Sequence, residues 1–331
     1  MRINLNSNFG GQIYSFIFMI DSIVLGNRNP FSQLLILLGI AFLSVAVFSF
    51  IPLLLAQPLF GINALGNPKL FSQTSNPQVI ALLKFMQLMQ SLGLFVLPPM
   101  IFAFIYTRTI SSYLQLNLNF KAASALLMVL IMFLATPAIN WMGEMNSHLD
   151  LPPAFDRMEN WMKIMEREAE QLTITFLTMN SLGALLFNLV LIALIPAIGE
   201  EFLFRGALQK ILTEWTKNKH LGIWISAILF SAMHLQFYGF IPRMLLGALF
   251  GYALLWTGSL WIPIIGHFVN NGTAVLISYF EQQGKISSEV ETVGTSPDAV
   301  LWVALSFVLV GVLLFLMKKQ SNPERQVIPL E

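Results

Sequence analysis

The sequence predicts an all-α fold, a polytopic membrane bundle of about eight transmembrane helices. Three observations carry this. Hydrophobic residues make up 56% of the 331 residues and charged residues 11%, under half of the roughly one quarter that clothes a soluble domain. The charges bracket apolar intervals long enough to cross a bilayer. Polar and ionisable residues then recur inside three of those intervals, the fourth, fifth and seventh. Such a composition excludes a disordered chain, a soluble two-domain enzyme and a nucleic-acid binder. With no cysteine, disulfides, thiolate metal sites, Fe–S clusters and cysteine nucleophiles are excluded as well.

Residues 1–30 begin with an apolar stretch, 13–25, that is short and contains Asp21. It reads as an interfacial segment. It lacks the basic start and cleavage site of a signal peptide, so the first span is expected to act as an uncleaved anchor. That span is the apolar part of the interval from Arg28 to Lys69, about 31–55. Lys84 to Arg108, Lys121 to Glu144, Glu170 to Glu200 and Lys219 to Arg243 bracket the next four. The interval from Arg243 to Glu281 is too long for one span, and Thr257-Gly258-Ser259 divides it into 240–256 and 260–280. Asp298 to Lys318 brackets the last, ahead of a short tail. Between the third and fourth spans, 150–170 carries Met158, Trp161, Met162 and Met165 at helical spacing among charges. That pattern is an amphipathic helix on the outer surface, its charges a solvated face. Gly247 and Gly251 form a GxxxG in the sixth span, read as close helix packing. The organisation expected is therefore an interfacial segment (1–30), N-terminal spans with the amphipathic helix (31–180), a core holding the polar and ionisable residues (181–280), and a last span with its tail (281–331).

Eight spans put both termini on one side. With the N-terminus inside, 11 of the 18 Lys and Arg fall on inner segments and 7 on outer ones, which favours cytoplasmic termini.

The fourth apolar run continues into Glu200-Glu201-Phe202-Leu203-Phe204-Arg205. Started near Ser181, the span would place Glu200 about a third of the way in from the cytoplasmic end. Glu201 and Arg205 are four apart and can pair on one face. Glu200 points about 100° away, free to face another helix. The fifth span carries Phe230-Ser231-Ala232-Met233-His234, and the seventh His267-Phe268-Val269-Asn270-Asn271, with His267 and Asn271 stacked one turn apart. Any one of these reads as an interfacial charge or a structural histidine. Together, at similar depth, they point to one shared polar cavity, because ionisable residues within spans face the bundle interior. His148 and His220 lie at helix ends and read as solvated.

A carboxylate beside a neutral imidazole in a semi-dry cavity can deprotonate water, since a carboxylate stripped of solvent holds a proton more readily. A second imidazole with a carboxamide offers two donors to a carbonyl oxygen. The set suits hydrolysis of an amide by activated water. The same Glu200, His234 and His267, with water in an open fourth position, match a catalytic Zn2+ site. Metal-activated and Glu/His-activated water both stay open here.

These three segments resemble the EExxxR, FxxxH and Hxxx(Asn/Asp) motifs of the CPBP family, which comprises the type II CAAX prenyl endopeptidases and bacteriocin-processing or immunity-type membrane proteins. The resemblance covers about 181–280, with every motif position matched. It implies an intramembrane endopeptidase, glutamate- or metal-dependent, in which Glu200 activates water with help from His234. His267 and Asn271 would then hold the oxyanion, and Glu201 and Arg205 support the site. It implies a membrane-associated or lipidated peptide as substrate, with membrane lipids as surroundings; the sequence shows no targeting segment, so a bacterial plasma membrane is the expected location. A non-catalytic scaffold or immunity protein on the same fold is the alternative. A proton-coupled transporter would use the same residues as a relay, but the chain shows no internal repeat.

Overall fold

The computed structural model describes residues 29–66, 70–71, 75–148, 151–290 and 292–320. The expected interfacial segment, up to residue 28, and the tail beyond 320 lie outside the described residues. Among the described residues there are helices and no strand. The main helices are α1 (Pro30–Phe60), α2 (Pro77–Thr107), α3 (Ala122–Ser147), α4 (Asp156–Leu177) and α5 (Leu182–Thr216). They are followed by α6 (Lys219–Ala232), α7 (Phe240–Thr257), α8 (Trp261–Gln282) and α9 (Val300–Lys319).

Local chemistry sets the ends. Asn29 and Asn76 cap α1 and α2 from just before Pro30 and Pro77, whose missing N–H groups lose nothing at a first helical position. Ser181 caps α5 and Asn218 caps α6 in the same way. Gly61 and Gly258 stop α1 and α7 with positive φ, which glycine adopts without steric conflict. Prolines inside helices reshape them. Leu92–Val96 in α2 is a π-helical turn just ahead of Pro98 and Pro99, and Leu189–Leu194 in α5 is another just ahead of Pro196. In both cases a proline N–H is absent where the α-helical ladder needs one.

Six of these helices, α1, α2, α3, α5, α7 and α9, are long and apolar enough to cross a membrane. The expected count was eight. The two that fall short are α6, with 14 residues, and α8, which has 22 but is too polar. Two boundaries also moved. The fourth span, started near Ser181, runs on as α5 through Arg205 to Thr216 for 35 residues, so Glu200 sits at mid-helix and not a third of the way in. The fifth does not reach Arg243: α6 stops at Ala232, and His234 lies in the turn beyond it.

The core gathers around Phe102, Phe204, Ile211, Phe230 and Leu260, where α1, α2, α5 and α6 meet. Helix α8 packs between α3 and α5, and α6 packs along α7 and the end of α5. Outward faces are apolar: Phe42 on α1 is 80% exposed and Leu301 on α9 82%, as a lipid-facing surface requires. Helix α4 buries none of its residues and rests Trp161 against Phe237, with ring centroids 5.4 Å apart. The GxxxG brings backbones close. A Cβ on Gly247 would stand 3.0 Å from Arg205 Nη2 and 3.2 Å from Ala227 Cβ, and one on Gly251 2.8 Å from Ile223.

Candidate active site

Five of the six residues singled out above meet inside the bundle. Glu200 and Glu201 end the α-helical stretch Ile195–Glu201, and Arg205 lies in a second π segment, Phe202–Leu208. Glu201 and Arg205 are 0% and 1% exposed. An unpaired charge there would be expensive, and the pair avoids that by mutual contact. Arg205 Nη1 donates to Glu201 Oε1 at 3.0 Å, and Nη2 donates to Gly247 O at 3.0 Å. The guanidinium lies over the Phe230 ring, 4.4 Å from its centroid. One turn on, Gln209 Nε2 donates to Gly251 O at 3.3 Å. The two glycines thus leave room for α5 to hydrogen-bond directly to the α7 backbone.

His267 Nδ1 is 2.9 Å from Glu201 Oε1, so Glu201 orients both Arg205 and His267. Phe250 stacks on the His267 ring with centroids 5.6 Å apart, and Phe230 packs edge-on against both His234 and His267. His234 Nδ1 is 2.9 Å from Phe230 O. A carbonyl oxygen can only accept, so that nitrogen carries the hydrogen and Nε2 of the neutral ring presents a lone pair. Leu235, next to it, has φ +53, a left-handed conformation that a branched residue adopts only under constraint.

Nε2 of His267 lies 3.7 Å and Nε2 of His234 4.0 Å from Glu200 Oε2. Glu200 Oε2 is buried with no hydrogen-bond partner. A water molecule bridging two acceptors holds them about 4–4.5 Å apart, which is close to this spacing. The centre therefore lacks a hydrogen donor at the point where a water could supply two. The His234 side chain is 30% exposed, against 7% for His267, so the centre opens on the His234 side.

Asn271 hydrogen-bonds elsewhere. Its Nδ2 donates to Ile192 O at 3.3 Å, and its Oδ1 accepts from Asn270 Nδ2 at 3.1 Å. Ile192 is four residues before Pro196, so its carbonyl lacks its α-helical donor and Asn271 supplies one. His148 and His220 sit away from the site, bonded to Glu144 O and Tyr252. Glu200, His234 and His267 offer the donor types that zinc takes, but among the described residues no three His, Asp or Glu side chains are arranged to hold a metal ion.

Sequence reading missed several residues around the site. Phe250, Gln209 and Asn146 gave no signal as candidates. Arg243 was counted only as an outer-loop charge, yet its guanidinium stands within electrostatic reach of Glu200 and Glu166. It also donates to Gln236 O at 3.2 Å and to Gln236 Oε1 at 3.0 Å.

Fold and site together define a polytopic helical protein of membrane-spanning character with a buried glutamate–histidine centre. Residues 182–273 match the family model of the Rce1-like type II CAAX prenyl endopeptidases, the family type the three motifs resemble. Over 86 residues the chain is 31% identical to the uncharacterized protein YpbD of Bacillus subtilis, a match covering 25% of this chain and 41% of that protein. The chain thus spans less than half the length of that curated relative. No solved structure matches.

Proposed function

We propose that this protein is an intramembrane endopeptidase that hydrolyses a peptide bond in a membrane-associated substrate with water activated at Glu200. The observation that carries this reading is the partnerless Glu200 Oε2 facing two imidazole Nε2 atoms at 3.7 and 4.0 Å. A water held there donates one hydrogen to Glu200 and the other to His234 Nε2. Glu200 takes the first proton as the oxygen attacks the carbonyl carbon. With a proton on Nε2, His267 donates to the resulting oxyanion while its Nδ1–H stays on Glu201. Asn271 has one amide hydrogen left after bonding Ile192 O, and that hydrogen is the second donor. Collapse of the tetrahedral species breaks the C–N bond, and Glu200 returns its proton to the leaving nitrogen. We place the protein in a bacterial plasma membrane with cytoplasmic termini, among lipids and a peptide or lipidated-peptide substrate.

The test compares membrane-proteome N-termini in cells expressing the native chain and Glu200→Ala at equal abundance. New termini that vanish with Glu200→Ala support the protease and name its substrates. Identical termini, with the variant still rescuing a deletion strain, would leave a binding protein on this fold. Activity abolished by a chelator and restored by Zn2+ alone would move water activation to a metal at Glu200, His234 and His267.

A further inference from the structure

His234 is the site residue held least directly. It lies beyond the end of α6, in the turn 233–239, and its side chain hydrogen-bonds to Phe230 O. Its place is therefore set by whatever fixes that turn. Part of that turn's backbone is bonded locally, His234 N to Ser231 O and Leu235 N to Ala232 O, and the rest finds partners on neighbouring helices. Ser231 Oγ donates to Phe240 O at 2.7 Å, and Arg243 donates to Gln236 O. Glu166 on α4 accepts from Tyr238 N at 3.4 Å.

The remaining partner comes from α3, in the half of the chain that carries no motif. Asn146 is 5% exposed. Its Nδ2 donates to Phe237 O at 2.7 Å and its Oδ1 accepts from Ile241 N at 3.0 Å. Ile241 is in the first turn of α7, where N–H groups have no partner within the helix, and Gly239 provides no side-chain cap. Asn146 caps α7 from another helix and grips the turn with the same amide. A carboxamide donates to the carbonyl through its nitrogen and accepts from the N–H through its oxygen at once.

We propose that Asn146 is the positioning residue of the site, setting the depth and direction of His234 through the turn 233–239. This rests on the reading of His234 as a participant in water activation. In Asn146→Leu, with the same branching of heavy atoms, Ile241 N loses its partner and Phe237 O keeps only Phe240 N at 3.2 Å. A displacement of about 1 Å at a reacting group lowers the rate by up to about a hundredfold.

The experiment uses the full chain in proteoliposomes, with Asn146→Leu, Asn146→Asp, His234→Ala and Asn146→Leu/His234→Ala. The probe is an internally quenched peptide carrying the most intense Glu200-dependent cleavage sequence. Hydrogen exchange over 233–241 is read in parallel and needs no substrate. The expected result is a kcat fall of about ten- to a hundredfold in Asn146→Leu with KM within about twofold, and no further fall when it is added to His234→Ala. Asn146→Asp, which keeps the acceptor and loses the donor, falls in between. Exchange rises across 233–241 and not along α3. A kcat within about twofold of native in Asn146→Leu would overturn the proposal. So would an equal loss on the His234→Ala background, or unchanged exchange over 233–241. If His234→Ala cleaves at the native rate, the protease reading of His234 fails instead, and the exchange data still show whether Asn146 holds the turn.

Discussion

Replacing Arg205 with leucine removes the cation from a pair in which both partners are under 2% exposed. Glu201 Oε2 already has no hydrogen-bond partner, and Oε1 serves Arg205 and His267 together. Without Arg205, a buried carboxylate is left with one imidazole. Gly247 O loses its donor, and the face of Phe230 loses the guanidinium above it. Breaking a buried ion pair from one side destabilises by about 3–5 kcal/mol. Removing the charge on both sides is far milder, so Glu201→Gln/Arg205→Leu should recover at least about 1 kcal/mol relative to the sum of the single changes. The assay is reversible unfolding in mixed micelles by added SDS, followed by the fluorescence of the 7 tryptophans. A loss under about 1 kcal/mol for Arg205→Leu, or strict additivity in the double variant, would refute the reasoning. The first outcome would mean the site is wetter than its burial shows, and the second that Glu201 does not depend on Arg205. Activity should not return in the double variant even where stability does, because Glu201 also orients His267.

Other outcomes follow from the same contacts. His234→Ala should lower kcat by about ten- to a hundredfold, because the attacking water loses the hydrogen bond that orients it, with the fold intact by thermal melting. Gly222→Ala should destabilise by about 1–3 kcal/mol, because the new Cβ would stand 2.8 and 2.9 Å from the backbone N and Cα of Thr213, which cannot swing aside. Gly39→Ala, with nothing within 4 Å of its Cβ, should melt at or above the native temperature. On α4, Glu159 is held below the ordinary carboxylate value, first by the hydrogen bond from Lys163 and then by Leu151 N–H. A depressed carboxyl stabilises fully above its ordinary value and stops doing so as pH falls through the lowered one. Protection of the Leu151 amide should therefore be flat near neutrality and collapse only on acidification, as read by exchange at a series of pH values.

The residues of the centre were legible because charge stands out against an apolar run. Glu200, Glu201, Arg205, His234 and His267 needed no structure to be suspected of meeting. What holds them in place was harder to see. Asn146 is an asparagine near a helix end, a setting that normally means solvent, and nothing local distinguishes it. A fourth span started near Ser181 was expected to run on past Glu200; its full length to Thr216 was not legible, because charges at 200, 201 and 205 look like the approach to a span end. Buried and paired, Glu201 and Arg205 no longer stop the helix, so it continues to Thr216. The turn after Ala232 escaped notice because Leu235, where a glycine would have signalled it, takes the left-handed conformation.

Two of the eight expected spans fall short of the length and apolarity that mark the other six, for a reason tied to the proposed chemistry. The two expected spans that do not qualify, α6 and α8, are those that deliver His234 and His267. Water must reach Glu200, so one helix stops short and lets a turn reach the centre from the end of the bundle. Another must carry His267, Asn270 and Asn271 through the interior and loses apolarity in doing so. Helices built only to hold the bundle in lipid have no such demand, and α1 and α9 are apolar nearly throughout. Low hydropathy within an otherwise apolar bundle is then a marker of the site. Restoring it should separate the two demands: Asn270→Leu makes α8 more apolar but removes the hydrogen bond that fixes the Asn271 amide. The variant should insert at least as well as the native chain, measured by protease-protected fraction, while cleaving more slowly. Faster cleavage, or loss of insertion, would mean the polarity of α8 serves assembly and not the centre.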